Sequence, residues 1–148
     1  MNLSEYSCPI CKKVPGSHSF YKIDETNCIE YYYTCPAKAS KYNDVDGIVA
    51  HYDGMLKHIA HGNKWYWIFD CSDFDIQHLM EYQIGIQLAT LISSKYSYNL
   101  EKICIINPNW YIYCMVSFVW TFLSFSVREK IIYDTSDKYI INEFEYEF

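Results

Sequence analysis

At 148 residues the chain has the length of one domain with a single core, and 51% hydrophobic against 20% charged residues excludes a disordered polymer. A net charge of −6, with only 12 scattered Lys and Arg residues, lacks the basic footprint of a nucleic-acid binder, so no nucleic acid is expected as partner. Seven cysteines and an N-terminus, MNLSEYSCPICKK, without an apolar signal stretch read as reduced thiols in a cytoplasmic protein, soluble or peripheral to membranes.

Residues 1–17, with Pro9, Pro15 and Gly16 and little periodicity, read as loop. Ser19 to Ile23 and Cys28 to Thr34 are β-favouring runs flanking DETN, which predicts a hairpin over 18–35 with a four-residue connection. Asn43 or Asp44 then caps a helix from about Val45 to Ala60. Its apolar stripe is Val45, Ile48, Val49, Tyr52, Met55, Leu56 and Ile59, its polar face Asp46, Asp53 and Lys57, and Gly62 fits its C-terminal turn. Trp65 to Phe69 reads as a strand covered on both faces, and DCSDFD ends it. Ile76, Leu79, Met80, Ile84, Leu88, Leu91 and Ile92 predict a second long helix, Ile76 to Lys95.

No formal charge lies between Lys102 and Arg128, so length alone permits a membrane span. Asn-Pro-Asn at 107–109 punctuates the stretch, however. Tyr113, Ser117, Thr121 and Ser124 form a weakly polar stripe opposite Tyr111, Met115, Phe118, Phe122 and Phe125. A strand at Ile103 to Ile106, a buried helix at Trp110 to Phe125 and a strand at Lys130 to Tyr133 satisfy this pattern better than a lipid-facing helix. The final stretch, DTSDKYIINEFEYEF, reads as one more amphipathic element. Strands alternating with helices over 44–148 define an α/β class: a mainly parallel sheet with flanking helices and an N-terminal β-hairpin, in one domain over 1–148. Asp70, Asn107 and Asp134 are the first polar residues beyond the strands, where such sheets place their functional edge.

WIFD at Trp67 to Asp70, Tyr96, IIN at Ile105 to Asn107, Pro108 with Trp110, Phe122-Leu123 and Lys130-Ile131 follow one another in an order that resembles the CRAL-TRIO lipid-binding domain family. The resemblance spans about Trp65 to Tyr139. It implies an α/β sheet that floors an apolar pocket, and non-catalytic binding or transfer of a hydrophobic ligand such as a phospholipid, with transient contact to a membrane surface. Lys130 matches the family lysine that contacts a phosphoinositide headgroup, whereas Tyr96-Ser97-Tyr98 stands where the family has Tyr-Pro-Glu. On this reading the ligand site comprises Trp67, Phe69, Trp110, Met115, Phe118, Phe122 and Lys130, with Tyr139, Ile140, Ile141 and Phe144 closing it. The alternative is a protein-interaction module that kept the fold and lost the pocket.

Three other constellations carry chemistry. Cys8-Pro-Ile-Cys11 has zinc-knuckle spacing, with Cys28, Cys35 or His18 as further ligands. One CxxC supplies only two of four ligands, so free thiols and no metal are the expectation. Asp70, Asp73, Asp75, Asp134 and Asp137 would suit a magnesium-dependent phosphatase-like enzyme, but helix capping by Asp73 or Asp75 explains the first group more simply. His51, His58 and His61 share one helix, where His58 and His61 can pair on a metal or complement the helix C-terminus. No Gly-rich phosphate loop or nucleophile elbow is present, so neither an enzyme nor a cofactor is expected.

Overall fold

The computed structural model describes residues 8–13 and 17–135. A short helix α1 (Pro9–Lys13) precedes a hairpin of β1 (Tyr21–Thr26) and β2 (Ile29–Thr34). Then follow α2 (Val45–Lys57), β3 (Lys64–Asp70), α3 (Ile76–Met80), α4 (Tyr82–Leu91) and β4 (Leu100–Ile106). The described chain ends with α5 (Trp110–Val119), α6 (Phe125–Arg128) and β5 (Ile131–Asp134). The strands form one five-stranded sheet in sequential order, antiparallel between β1 and β2 and parallel from β2 to β5. The mainly parallel α/β sheet with its leading hairpin is therefore as read from the sequence. Most of the amphipathic element expected in the last residues lies outside the described ones.

Sequential parallel strands joined by right-handed crossovers must place every crossover on the same face. The side chains follow. Trp65, Trp67, Ile103 and Ile105 share a core cluster with Tyr52, Ile84, Leu88, Ile112 and Met115 from the helices. Residues of opposite parity, Tyr33, Ile68, Cys104 and Ile106, form a separate buried cluster on the far face. Register aligns Tyr32, Trp67, Ile103 and Ile131 in one row across the sheet, and Thr34, Phe69 and Ile105 in the next.

Several boundaries differ from those expected, each for a local reason. The hairpin turns in two residues rather than four, because Asn27 and Cys28 both take left-handed φ (52° and 62°) and let Thr26 pair with Ile29. Part of the supposed N-terminal loop is α1, with Cys8 and Cys11 buried. Asp44 caps α2 by accepting from the Gly47 amide at 3.2 Å, but the helix ends at Lys57, well before Gly62. There the buried Glu30 carboxylate accepts from the Ala60 amide (3.0 Å) and the Asn63 side chain (2.8 Å), drawing the chain off the helical path toward β2.

The long helix expected at 76–95 is three pieces: α3, α4 and a π turn, Ile92–Tyr96. Asp75 and His78 form a capping box at α3, and Glu81 (φ −85°, ψ 49°) breaks the path. The helix expected from Trp110 to Phe125 likewise ends at Val119 in a 3₁₀ turn, Trp120–Phe122, followed by extended Leu123. Arg128 secures this bend: its Nε and Nη2 donate to the Trp120 carbonyl at 3.1 and 2.9 Å, and its guanidinium lies 5.4 Å from the Trp120 ring centre. Among the described residues no helix is long and apolar enough to cross a membrane.

Candidate functional site: an apolar cavity between sheet and helices

The parallel register sets the floor of the site. Trp67 and Phe69 of β3, Ile103 and Ile105 of β4, and Ile131 of β5 all point toward the helices. α4 contributes Ile84, Gly85, Leu88 and Ala89, and α5 contributes Ile112, Met115, Val116 and Val119. Ile92, Leu123, Val127, Tyr42 and Phe74 complete the lining. Between them is a cavity of about 100 Å³ with no charged side chain in its lining. Burial pushes the Tyr42 hydroxyl above the ordinary tyrosine range, so it stays neutral. The Trp67 indole N–H donates to the Thr34 hydroxyl at 2.9 Å, which ties the ring to β2.

Gly85 lets α4 and α5 approach over this space. A Cβ there would lie 2.9 Å from the Met115 sulfur and 3.0 Å from a Val119 methyl. The cavity is thus bounded mostly by aliphatic and aromatic side chains, and the Met115 thioether, an adaptable apolar group, lies against Gly85.

Of the expected ligand residues, the structure brings Trp67, Phe69 and Met115 together at the cavity. Trp110, Phe118 and Phe122 are on the outer surface. The stripe buried on α5 is Ile112, Met115 and Val119, one residue round from the aromatic stripe, so Phe118, Phe122 and Phe125 face solvent. Pairing aromatic residues by spacing favoured the heavier stripe, but the close approach at Gly85 selects the slimmer one. Lys130 lies outside the lining, and its ammonium donates to the Ser97 carbonyl at 3.2 Å. Tyr139, Ile140, Ile141 and Phe144 lie outside the described residues. Ile84, Leu88 and Ile92 belonged to a visible helical stripe without being assigned to the site. Tyr42 and Phe74 gave no periodic signal.

The strand ends behave differently. Asp70 is fully buried, yet its carboxylate accepts from the Tyr33 hydroxyl (2.5 Å), the Ser72 amide (2.9 Å) and hydroxyl (2.8 Å), and the Asn107 side chain (3.1 Å). Burial, then the Asp70 bond, raises the Tyr33 hydroxyl far above its usual range. Four donors satisfy this carboxylate without a cation. Asp75 caps α3, and Asp137 lies outside the described residues. His58 bonds to the Gly54 carbonyl at 2.6 Å, and His61 is exposed. Cys28 is exposed at the hairpin turn, and Cys35 contacts the Ser72 carbonyl at 3.7 Å. Cys8 and Cys11 instead meet His18 and His51 in a buried N-terminal corner.

A two-layer sheet whose helix-covered face encloses an uncharged cavity defines a domain built around hydrophobic contact. The family model described as the CRAL/TRIO domain matches residues 27–147, and the chain belongs to that family, whose members bind lipids and other small hydrophobic molecules. Among solved structures the chain is similar to Sfh5, with a TM-score of 0.64 and 11% sequence identity over 88% of this chain and 52% of that one. That likeness is one of fold, and the chain spans about half the length of the solved chain. No curated protein matches it.

Proposed function

We propose that this domain binds the hydrocarbon part of a lipid between its sheet and helices α4 and α5, without chemistry on it. The uncharged lining of the cavity carries this reading, because such a wall rewards apolar surface and offers no acid, base or nucleophile to a substrate. At about 100 Å³ the cavity is well below the roughly 300–1,000 Å³ of ordinary ligand pockets. A chain must therefore enter by parting α5 from α4, where the contact runs through Met115 and Val119 against Gly85.

The outer face of the same segment suggests the route. Trp110 is 73% exposed and Phe125 72%, with Phe118, Trp120 and Phe122 exposed between them. Such a cluster suits insertion at a membrane surface and delivery of a chain to the gap below it. The small cavity also favours a second reading, an interaction module whose pocket has closed.

Native mass spectrometry after incubation with phosphatidylcholine vesicles separates the two. Binding predicts a mass increment of one lipid per chain, lost when Gly85→Leu fills the α4–α5 gap. An unchanged mass in wild-type protein whose Phe118, Phe122 and Phe125 still support vesicle sedimentation favours the closed module. Replacing those three with Ser is expected to lower sedimentation severalfold and leave the unfolding transition nearly in place.

A further inference from the structure

We infer that Cys8, Cys11, His18 and His51 form a closed, tetrahedral zinc site that pins the N-terminal segment to α2. The four ligand atoms, two thiol sulfurs and two Nδ1 nitrogens, lie within 4.8 Å of one another, and all four residues are buried. The sulfur of Cys8 is 3.4 Å from His18 Nδ1, and that of Cys11 is 3.6 Å from His18 Nδ1 and 3.7 Å from His51 Nδ1. Zn–S bonds of about 2.3 Å and Zn–N bonds of about 2.0–2.1 Å at tetrahedral angles give sulfur–nitrogen edges of about 3.6 Å. These three edges bracket that value, and the remaining pairs of ligand atoms lie within 4.8 Å of one another.

The outer contacts orient the ligands independently. His51 Nε2 lies 2.9 Å from the Phe20 carbonyl, which can only accept, so the ring proton is on Nε2 and the Nδ1 lone pair faces inward. His18 Nε2 lies 3.0 Å from the Asp44 carboxylate, which turns its Nδ1 toward the two sulfurs. Carbonyl and carboxylate partners of this kind are the usual supports of metal-bound histidines. The Cys11 amide donates to the Cys8 sulfur at 3.3 Å, an outer contact that fixes where that sulfur sits. Two imidazole lone pairs and two sulfurs thus converge where water is excluded, and only thiol protons are available to separate them. A borderline-soft cation resolves that convergence, and two sulfurs with two imidazoles suit zinc.

Four protein ligands leave no coordination position for a substrate, so the role is structural. Asp44 joins the site to the fold: one carboxylate oxygen accepts from the Gly47 amide to cap α2 and the other meets His18. Metal binding then stabilises the N-terminal corner and the start of α2 together.

The test uses the full chain, expressed in zinc-supplemented medium and purified with reductant and without chelator. Elemental analysis is expected to find one zinc per chain, and its removal by a strong chelator to lower Tm. Cobalt(II) added to the stripped protein should give the intense visible absorption of a tetrahedral, thiolate-ligated ion. Cys11→Ser is expected to abolish that spectrum. Should that variant fail to fold, Asp44→Asn serves, because asparagine also caps a helix. It should bind zinc about 10–100-fold more weakly with α2 intact. Metal-free protein that takes up no cobalt would overturn the inference, as would an octahedral spectrum or a Cys8–Cys11 disulfide in the freshly purified, metal-free chain. None of these readouts depends on lipid binding.

Discussion

The cavity and the N-terminal corner are both buried convergences of side chains, but they depend on position in opposite ways. The cavity draws its walls from Tyr42 to Ile131, and its members contribute area that a similar side chain could replace. The corner depends on four atoms from Cys8 to His51 whose lone pairs must all face inward. On the proposed reading a guest would enter the first by moving Met115 or Val119, whereas the second tolerates little displacement. A fold held by apolar area can therefore be shared at low identity, as the TM-score of 0.64 with Sfh5 at 11% identity illustrates. A ligand tetrahedron is kept or lost as a unit.

The largest expected effect is at the cavity floor. Trp67→Ala removes a nearly fully buried ring and its bond to Thr34, and should cost about 3–5 kcal/mol in urea unfolding. A cost near that of a surface change would mean that the floor is not part of the core. Met115→Ala should cost about 2–5 kcal/mol while enlarging the space beside Gly85. Its distinctive outcome is greater uptake of a fatty acid per folded molecule; unchanged uptake would remove Met115 as the gate.

In the corner, Gly47→Ala puts a Cβ 1.9 Å from an Asp44 carboxylate oxygen and forces that side chain away. Loss of the cap costs about 0.5–2 kcal/mol, against a helix-propensity gain of about 1 kcal/mol. Little net change in stability is expected, but markedly weaker cobalt affinity by titration. Tight binding retained in this variant would show that His18 does not need Asp44.

The smallest effect lies outside both regions. The Tyr96 hydroxyl, chiefly, with Lys95 and Lys57, holds the Asp53 carboxyl below its ordinary range. A folded value below the unfolded one means that the contribution is complete above the unfolded value, near pH 4. It is lost as pH falls through the folded value. Urea titrations from pH 5 to pH 3 should show a steeper loss in wild type than in Tyr96→Phe, by less than about 1 kcal/mol for a group that water still reaches.

The sheet was legible because Trp65, Trp67, Ile103 and Ile105 belong to runs too apolar for any other place in a protein of this composition, and helices of opposite periodicity separate them. The inward stripe of α5 was not legible. Phe118 and Phe122 weigh more than Val119 in any pattern, and only the approach of α4 at Gly85 reveals which stripe fits. Helix breaks at Glu81 and Leu123 escaped for a related reason: each is fixed by a tertiary or capping bond, not by proline or glycine. In the corner, CPIC and His18 were visible as candidates. His51 belonged in sequence to a helix shared with His58 and His61, and only folding shows that it turns toward the cysteines.

Quenching by a brominated fatty acid tests the central claim, that hydrocarbon lies on the sheet floor. The chain has four tryptophans, with Trp65 and Trp67 on the helix-covered face of β3 and Trp110 and Trp120 at the surface. In a Trp110→Phe/Trp120→Phe protein, tryptophan fluorescence comes from Trp65 and Trp67 alone, the latter in the cavity lining. Saturable quenching that survives in this variant and is lost when Gly85→Leu is added is the predicted result. Quenching seen in wild type but absent from the double variant would place the ligand on the outer surface and contradict the account.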